Sequence, residues 1–440
     1  MDTATLTSTA AWSAPYAAAP VDARATVPGS KSMTNRALIL SALAEGPSRI
    51  DAPLRARDTA LMADALRAIG TEITDETDGS WIVTPRHLVG PAEIDCGLAG
   101  TVLRFVPPVA ALARGEVRFD GDARIRERPN GPLIAALRQL GADIDDEGRG
   151  TAPFVVRGTG ALPGGSVTVD ATGSSQLISG LLLAAARFEA GVEVIAAGAV
   201  PSAPYLGMNI AMLRERGVDV EADVDFGRER WRVAPGVVRA RDVRIEPDLN
   251  TAAPFAAAAL ATSGRVTISG WPQSTTQPGG QLPRWLTAMG ATCAVTAGGL
   301  TVSGGSAING IEADLGEVSE LVPVLAALAA LADSPSRLTG VAHIRGHETD
   351  RITALATELS ACGADISELP DGLVILPRPL HGRSFATYDD HRLVMAAAVL
   401  GLAVKGIAVV GASTVGKTMP DFTHRWQAML DHGDCGAAIE

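Results

Sequence analysis

Six short segments of the sequence collect the residue types that open helices and hold anions: GSKSMTNR (29–36), LAGTVLR (98–104), ATGSSQ (171–176), EPDLNT (246–251), GEVSEL (316–321) and YDDHR (388–392). Ser, Thr, Asp, Asn and Gly satisfy the free N–H groups at a helix start, and capping alone would account for any one segment. Several also carry cations or clustered hydroxyls. Lys31 stands at the start of the first segment, and Arg36 lies four residues after Ser32, so Ser32 and Arg36 share a helical face. Helix dipole, hydroxyl and two cations together make an anion pocket. Ser174, Ser175 and Gln176 add adjacent hydroxyls and an amide, and YDDHR places Arg392 beside acids able to hold its guanidinium. RIRERP (124–129) and GHETDR (346–351) set further arginines, among them Arg128 and Arg351, in loops or helix starts. A lone arginine is ordinarily a solvated surface charge. Arginines at equivalent points of a repeat point instead to a phosphate or carboxylate.

GASTVGKT (411–418) fits the phosphate loop GxxxxGK[ST] and follows the apolar VKGIAVV (404–410). Only 22 residues remain after Thr418, too few for the parallel sheet and acidic metal ligand of that fold, and Pro420 follows almost at once. Nucleotide hydrolysis is therefore disfavoured, while Lys417 stays a candidate phosphate ligand.

These segments sit on a repeat. Ala/Leu-rich stretches recur and end at Gly46, Gly115, Gly191, Gly264, Ser334 and Gly406, with gaps of 69, 76, 73, 70 and 72 residues. A second, amphipathic helix type lies between them and closes on Gly70, Gly141, Gly217, Gly290 and Gly363 as C-caps. Leu133, Leu137 and Leu140, or Ile352, Leu355 and Leu359, have helical spacing with charge on the other face. Extended runs such as RVTISGW (265–271) and GADISELPDGLVILP (363–377) follow. The unit reads as helix, strand, helix, strand pair in an α/β fold. Six units in 440 residues predict two lobes of three, with ligand in the interlobe cleft. One lobe is expected to span 29–245 and the other 1–28 with 246–440, crossing near TVPGS (26–30) and RIEPDLN (244–250).

Composition narrows the class of function. A net charge of −12 and 4% aromatic residues supply neither a basic field nor stacking rings for nucleic acid. Cys96, Cys293, Cys362 and Cys435 stand far apart without zinc or disulfide spacing, which suits a reducing, cytoplasmic location. The first 20 residues lack Lys and Arg and read as a loose arm, not a secretory signal. SELVPVLAALAALADSPS (319–336) comes nearest to a membrane span, but Glu320, Pro323 and Asp333 make it a buried helix, so no membrane partner is expected.

Taken together, VPGSKSMTNRA (27–37), LAGTVLRF (98–105), RERP (126–129), GSSQ (173–176), PSAPY (201–205), HETDR (347–351), YDDHR (388–392) and GKTMPDF (416–422) resemble the 5-enolpyruvylshikimate-3-phosphate synthase family of enolpyruvyl transferases, in that family's order, from about Val27 to Phe422. The resemblance implies a two-lobed fold in which each lobe holds three repeated βαβαββ units. It implies shikimate 3-phosphate at Ser32, Arg36, Ser174, Ser175, Gln176, Ser202, Tyr205 and Glu320, and phosphoenolpyruvate at Lys31, Gly100, Arg128, Arg351, Arg392 and Lys417. It further implies a cytoplasmic monomer on the route to chorismate and the aromatic amino acids, inhibited by glyphosate at the phosphoenolpyruvate site, with no metal and no organic cofactor.

The sequence departs from the family pattern at four places. Leu98 replaces the Asn of NAGT, His347 the Lys of KETDR, Glu320 a more usual Asp, and His343 stands where an Asn often meets the shikimate ligand. His347 is nonetheless carried over as a substrate-binding position. The implied reaction is addition followed by elimination, with Glu320 as the base on the 5-hydroxyl and Lys31 and Glu348 handling the protons at the leaving oxygen and methyl carbon. How Lys31 and Glu348 divide those protons stays open. The alternative is the sister transferase acting on UDP-N-acetylglucosamine, whose loop carries a Cys in GGCTIGARP; GDARIRERP (121–129) has Ala123 there. A noncatalytic anion-binding scaffold would need to have lost its acids, and Glu320 and Glu348 are present.

Overall fold

The computed structural model describes residues 11–225 and 228–433. The chain divides into two bodies, one of residues 28–248 with 274–278 and the other of residues 1–27, 249–273 and 279–440. Twelve α-helices are found among the described residues: α1 (Lys31–Ala42), α2 (Arg57–Ala68), α3 (Gly100–Ala110), α4 (Gly131–Gln139), α5 (Gln176–Ala184), α6 (Pro204–Glu215), α7 (Leu249–Ala261), α8 (Leu282–Ala288), α9 (Val322–Ala330), α10 (Arg351–Ala361), α11 (His391–Ala403) and α12 (Phe422–His432).

The helices are of two kinds. In α3 and α9 every residue is buried, and α5, α7 and α11 each leave one outside the core. Helices apolar on every side belong inside a core. In the first body α1, α3 and α5 pack on one another, and in the second α7, α9 and α11 do the same. The even-numbered helices α2, α4, α6, α8 and α10 are the amphipathic kind, and all five end alike. The N–H of the residue after the capping glycine reaches back to a leucine carbonyl: Thr71 to Leu66, Ala142 to Leu137, Val218 to Leu213, Ala291 to Leu286 and Ala364 to Leu359, at 2.9–3.1 Å. Gly70, Gly141, Gly217, Gly290 and Gly363 all have positive φ there, from 76° to 113°. That combination is the Schellman closure, which requires the left-handed backbone that glycine adopts without a Cβ penalty.

Each repeat builds one small sheet around a parallel strand pair. Strand Gly165–Val169, α5, strand Val192–Ala196, α6, then strands Val220–Asp225 and Arg228–Val233 complete one βαβαββ unit in chain order. The units around α3 and α9 are built the same way. Two other units borrow a strand from far along the chain. Val243–Arg244 pairs parallel with Ser48–Asp51, and Asp22–Ala25 pairs parallel with Arg265–Ile268. The sixth sheet joins Ser384–Ala386, Ala408–Val410 and Trp12–Ser13.

That last pairing corrects the expectation of a loose arm. Residues 1–10 lie outside the described residues, but from Trp12 the segment is anchored. Trp12 and Ser13 run antiparallel to Val409 and Ala408, and the Trp12 ring meets Phe422 edge-on at 6.2 Å. An apolar indole with a strand edge beside it outweighed the Ala/Ser/Thr composition. GASTVGKT likewise forms no phosphate loop: Gly411 (φ 78°) leads into a 3-10 turn, Ala412–Lys417, and α12 begins only at Phe422. SELVPVLAALAALADSPS contains the buried α9, as its composition requires. No helix among the described residues is long and apolar enough to cross a membrane.

Candidate active site

In the first body the sequence-identified residues gather at the starts of α1, α3 and α5. Ser30 caps α1, its Oγ accepting from the Met33 N–H. The Lys31 N–H donates to Asp248 Oδ2 at 3.1 Å, and its Nζ pairs with Asp58 Oδ2 at 3.3 Å. One turn on, Arg36 is fully buried and its partners are neutral: Asn209 Oδ1, the Ser32 carbonyl at 3.0 Å and Ser179 Oγ at 3.4 Å. Its guanidinium lies over the rings of Phe105 and Tyr205, 5.1 and 5.6 Å from their centroids. Burial lowers its pKa to about 10, so its charge is costly where it sits and is best satisfied by an anion.

Ser174 and Gln176 are brought together by a residue that the sequence reading passed over. Arg104 Nη1 donates to Ser174 Oγ at 3.2 Å and to Gln176 Oε1 at 3.0 Å, while its Nη2 reaches the Pro129 carbonyl at 3.3 Å. Arg104 lies four residues after Gly100 on α3, so helical spacing within LAGTVLR was the available signal. Ser175 is buried at the start of α5. Ser202 has φ 53° and its carbonyl accepts from the Tyr205 N–H as α6 opens. Arg128, also nearly buried, crosses the start of α3, and its Nε has no hydrogen-bond partner among the described residues. A Cβ on Gly100 would stand 2.7 Å from Arg128 Nη1 and 3.0 Å from Nη2, so the bare glycine is what admits the guanidinium.

The second body gathers Glu320, His343, His347, Glu348, Arg351 and Arg392 at the approaches to α9, α10 and α11, and Lys417 joins them from the 3-10 turn ahead of α12. Glu320 pairs with Arg392 Nε at 3.0 Å, Arg351 Nη1 at 3.2 Å and His347 Nδ1 at 3.6 Å. Glu348 joins Arg351 Nη2 at 2.9 Å to Lys417 Nζ at 2.5 Å. Burial alone would raise the Glu320 pKa, but Arg351, Arg392 and His347 overcome it and hold the carboxyl well below the usual carboxylate range. Burial likewise opposes the charge on Arg351, and Asp390, Glu320 and Glu348 more than restore it. His343 Nε2 lies 2.9 Å from Ser319 Oγ, and burial lowers its pKa.

Two details differ from the sequence reading. Within YDDHR the Asp390 carboxylate holds Arg351, at 2.7 Å from Nε and 3.2 Å from Nη2, and caps α11 through the Arg392 N–H at 2.8 Å; the Arg392 guanidinium goes to Glu320 instead. The Asp390 carboxylate is already taken up by the Arg351 guanidinium and the Arg392 N–H, so the Arg392 side chain finds its acid on another element. The cations of this body therefore stand among carboxylates, unlike Arg36. Among the described residues no cluster of His, Cys, Asp and Glu could hold a metal ion, and Cys96, Cys293 and Cys362 are free thiols; Cys435 lies outside them.

Two bodies of three βαβαββ repeats, with phosphate-type ligand groups at helix starts, define an enolpyruvyl transferase fold. The enolpyruvyl transferase NikO from Streptomyces tendae has it too, with a TM-score of 0.71 at 17% identity over 93% of this chain and 95% of that one. The chain belongs to the EPSP synthase (3-phosphoshikimate 1-carboxyvinyltransferase) family, whose pattern matches residues 15–426. It is 49% identical over 431 residues to a 3-phosphoshikimate 1-carboxyvinyltransferase of Kocuria rhizophila, covering 95% of this chain and 96% of the relative. An EPSP synthase structure from Acinetobacter baumannii superposes with a TM-score of 0.78 at 26% identity, covering 94% of this chain and 97% of that one.

Proposed function

We infer that this chain transfers the enolpyruvyl group of phosphoenolpyruvate to the 5-hydroxyl of shikimate 3-phosphate, giving 5-enolpyruvylshikimate 3-phosphate and phosphate on the route to chorismate. The observation that carries this reading is the Glu320 cluster, in which two buried arginines suited to a carboxylate and a phosphate flank a half-buried acid. Phosphoenolpyruvate is assigned to Lys31, Gly100, Arg128, Arg351, Arg392 and Lys417. Shikimate 3-phosphate is assigned to Ser32, Arg36, Ser174, Ser175, Gln176, Ser202, Tyr205 and Glu320. His347, paired with Glu320, lies beside the donor set.

The 5-hydroxyl oxygen bonds to C2 of phosphoenolpyruvate as C3 takes a proton, and the tetrahedral ketal then loses phosphate and a C3 proton to restore the double bond. Glu320 receives the hydroxyl proton, while Lys31 and Glu348 serve the bridging oxygen and C3. A carboxylate held far below its ordinary pKa is a weak base. Binding the anionic donor answers this, since Arg351 and Arg392 then turn part of their field to the ligand and Glu320 regains basicity. The same reading takes the enzyme as a cytoplasmic monomer that needs no metal or organic cofactor and is inhibited by glyphosate.

Phosphate release from phosphoenolpyruvate, measured with each acceptor in turn, tests the reading. Release with shikimate 3-phosphate and none with UDP-N-acetylglucosamine is expected; the reverse pattern would transfer the chain to the sister activity, and release with neither would remove it from catalysis.

A further inference from the structure

The turn that leads into α11 is held in an unfavourable backbone conformation. Tyr388 and Asp389 have φ of 50° and 57°, two consecutive left-handed residues without a glycine. A bulky side chain seldom adopts that region, and it persists only where the surroundings over-determine it. The surroundings here are specific. Thr387 Oγ1 donates to the Val410 carbonyl at 2.7 Å, Thr414 Oγ1 to the Asp389 carbonyl at 2.9 Å, and the Asp390 N–H to the Thr387 carbonyl at 2.8 Å.

The remaining restraint comes from Glu358, a nearly buried carboxylate on α10 two turns beyond Arg351. Its Oε2 accepts from the Ala386 N–H at 3.0 Å and its Oε1 from Tyr388 Oη at 2.7 Å. Tyr388 is 45% exposed, so burial of its ring does not by itself fix it there. Partial burial and the Glu358 bond together raise the phenol to about 12, which keeps it a donor at working pH. The circuit closes at the other end of the turn, where Asp390 binds Arg351 at the start of the same helix. Thus α10 grips the turn twice, through Glu358 at its beginning and through Arg351 at its end.

We propose that Glu358 is a positioning residue for phosphoenolpyruvate binding: by clamping residues 386–388 it sets the start of α11, and so the placement of Asp390 and Arg392 against Arg351. Glu358 itself touches neither Arg351 nor Arg392 and plays no part in proton transfer. This rests on the assignment of Arg351 and Arg392 to the donor in the preceding subsection.

Steady-state kinetics of the full chain with three variants tests it. Glu358→Met removes both acceptors at similar length and should raise the KM for phosphoenolpyruvate about tenfold or more, with that for shikimate 3-phosphate within about twofold of the parent. Glu358→Gln keeps an acceptor for the Ala386 N–H and an amide donor for the Tyr388 oxygen, so it should stay within about threefold for both substrates. Tyr388→Phe removes a single bond at an exposed ring and should fold normally, with a donor KM raised about threefold. The proposal is overturned if Tyr388→Phe, or a folded Glu358→Met, leaves the donor KM unchanged, or if both KM values rise together. A parent chain inactive on this substrate pair would instead strike the functional reading.

Discussion

Arg36 and Arg351 are both fully buried guanidiniums, yet one meets only neutral oxygens and aromatic faces while the other meets three carboxylates. The difference has consequences for what each can do. Arg36 carries a charge that its surroundings penalise, so an anion arriving there relieves a cost already present in the folded chain. Arg351 must exchange part of an existing network for a ligand, and that exchange feeds directly into Glu320. The folded pKa of Glu320 lies well below 4.5, so its ion pairs stabilise the fold above that pH, and the stabilisation is lost as pH falls through the depressed value. If donor binding then raises the Glu320 pKa, the acid limb of kcat should lie at higher pH than that of kcat/KM. Glu320→Gln should lower kcat at least about a hundredfold and abolish that displacement. A variant with parental kcat would remove Glu320 from the chemistry. Gly100→Ala belongs to the same scale. Its methyl would need the space of the Arg128 guanidinium, and overpacking of that kind costs about 1–3 kcal/mol, read as a rise of about tenfold in the phosphoenolpyruvate KM with folding intact. Unchanged donor affinity and unchanged glyphosate inhibition would show that Gly100 and Arg128 do not serve the donor.

At the scale of elements, the repeat was legible because each amphipathic helix must end the same way. A leucine, four positions later a glycine in left-handed conformation, and a small or β-branched residue after it recur in α2, α4, α6, α8 and α10. Those glycines are more than punctuation. A Cβ at Gly141 would combine a φ of 102° with a contact of 2.9 Å to Pro163, whereas one at Gly79 (φ 81°) would meet nothing within 4 Å. Gly141→Ala should therefore cost about 2–3 kcal/mol in denaturant unfolding and Gly79→Ala about 1 kcal/mol, with neither moving a KM. Equal costs would mean that backbone conformation alone decides. Helix starts were legible for a related reason, since capping residues and anion ligands share a chemistry. What sequence could not show was which side chain crosses to which element. Arg104 reaching Ser174 and Gln176, and Asp390 turning to Arg351 instead of Arg392, depend on packing between segments that lie 39 to 72 residues apart.

For the molecule as a whole, two of the six repeats close only because strands are returned from distant parts of the chain. Val243–Arg244 completes the sheet that begins at Ser48, and Asp22–Ala25 completes the one that begins at Arg265. The period of the Ala/Leu-rich stretches revealed the number of repeats, but a strand of two residues such as Trp12–Ser13 leaves almost no periodic trace, which is why the N-terminal segment read as unattached. Both bodies carry residues proposed to bind anions on the same type of helix start, and the proposed function assigns both sets to one reaction. The most direct measurement is the fate of isotope-labelled phosphoenolpyruvate mixed with shikimate 3-phosphate and the full chain, followed by nuclear magnetic resonance. Carbon signals of an enolpyruvyl ether on the 5-oxygen, appearing in step with inorganic phosphate, are predicted. Phosphate released without that ether, or label that stays in phosphoenolpyruvate while both ligands are bound, would contradict the assignment.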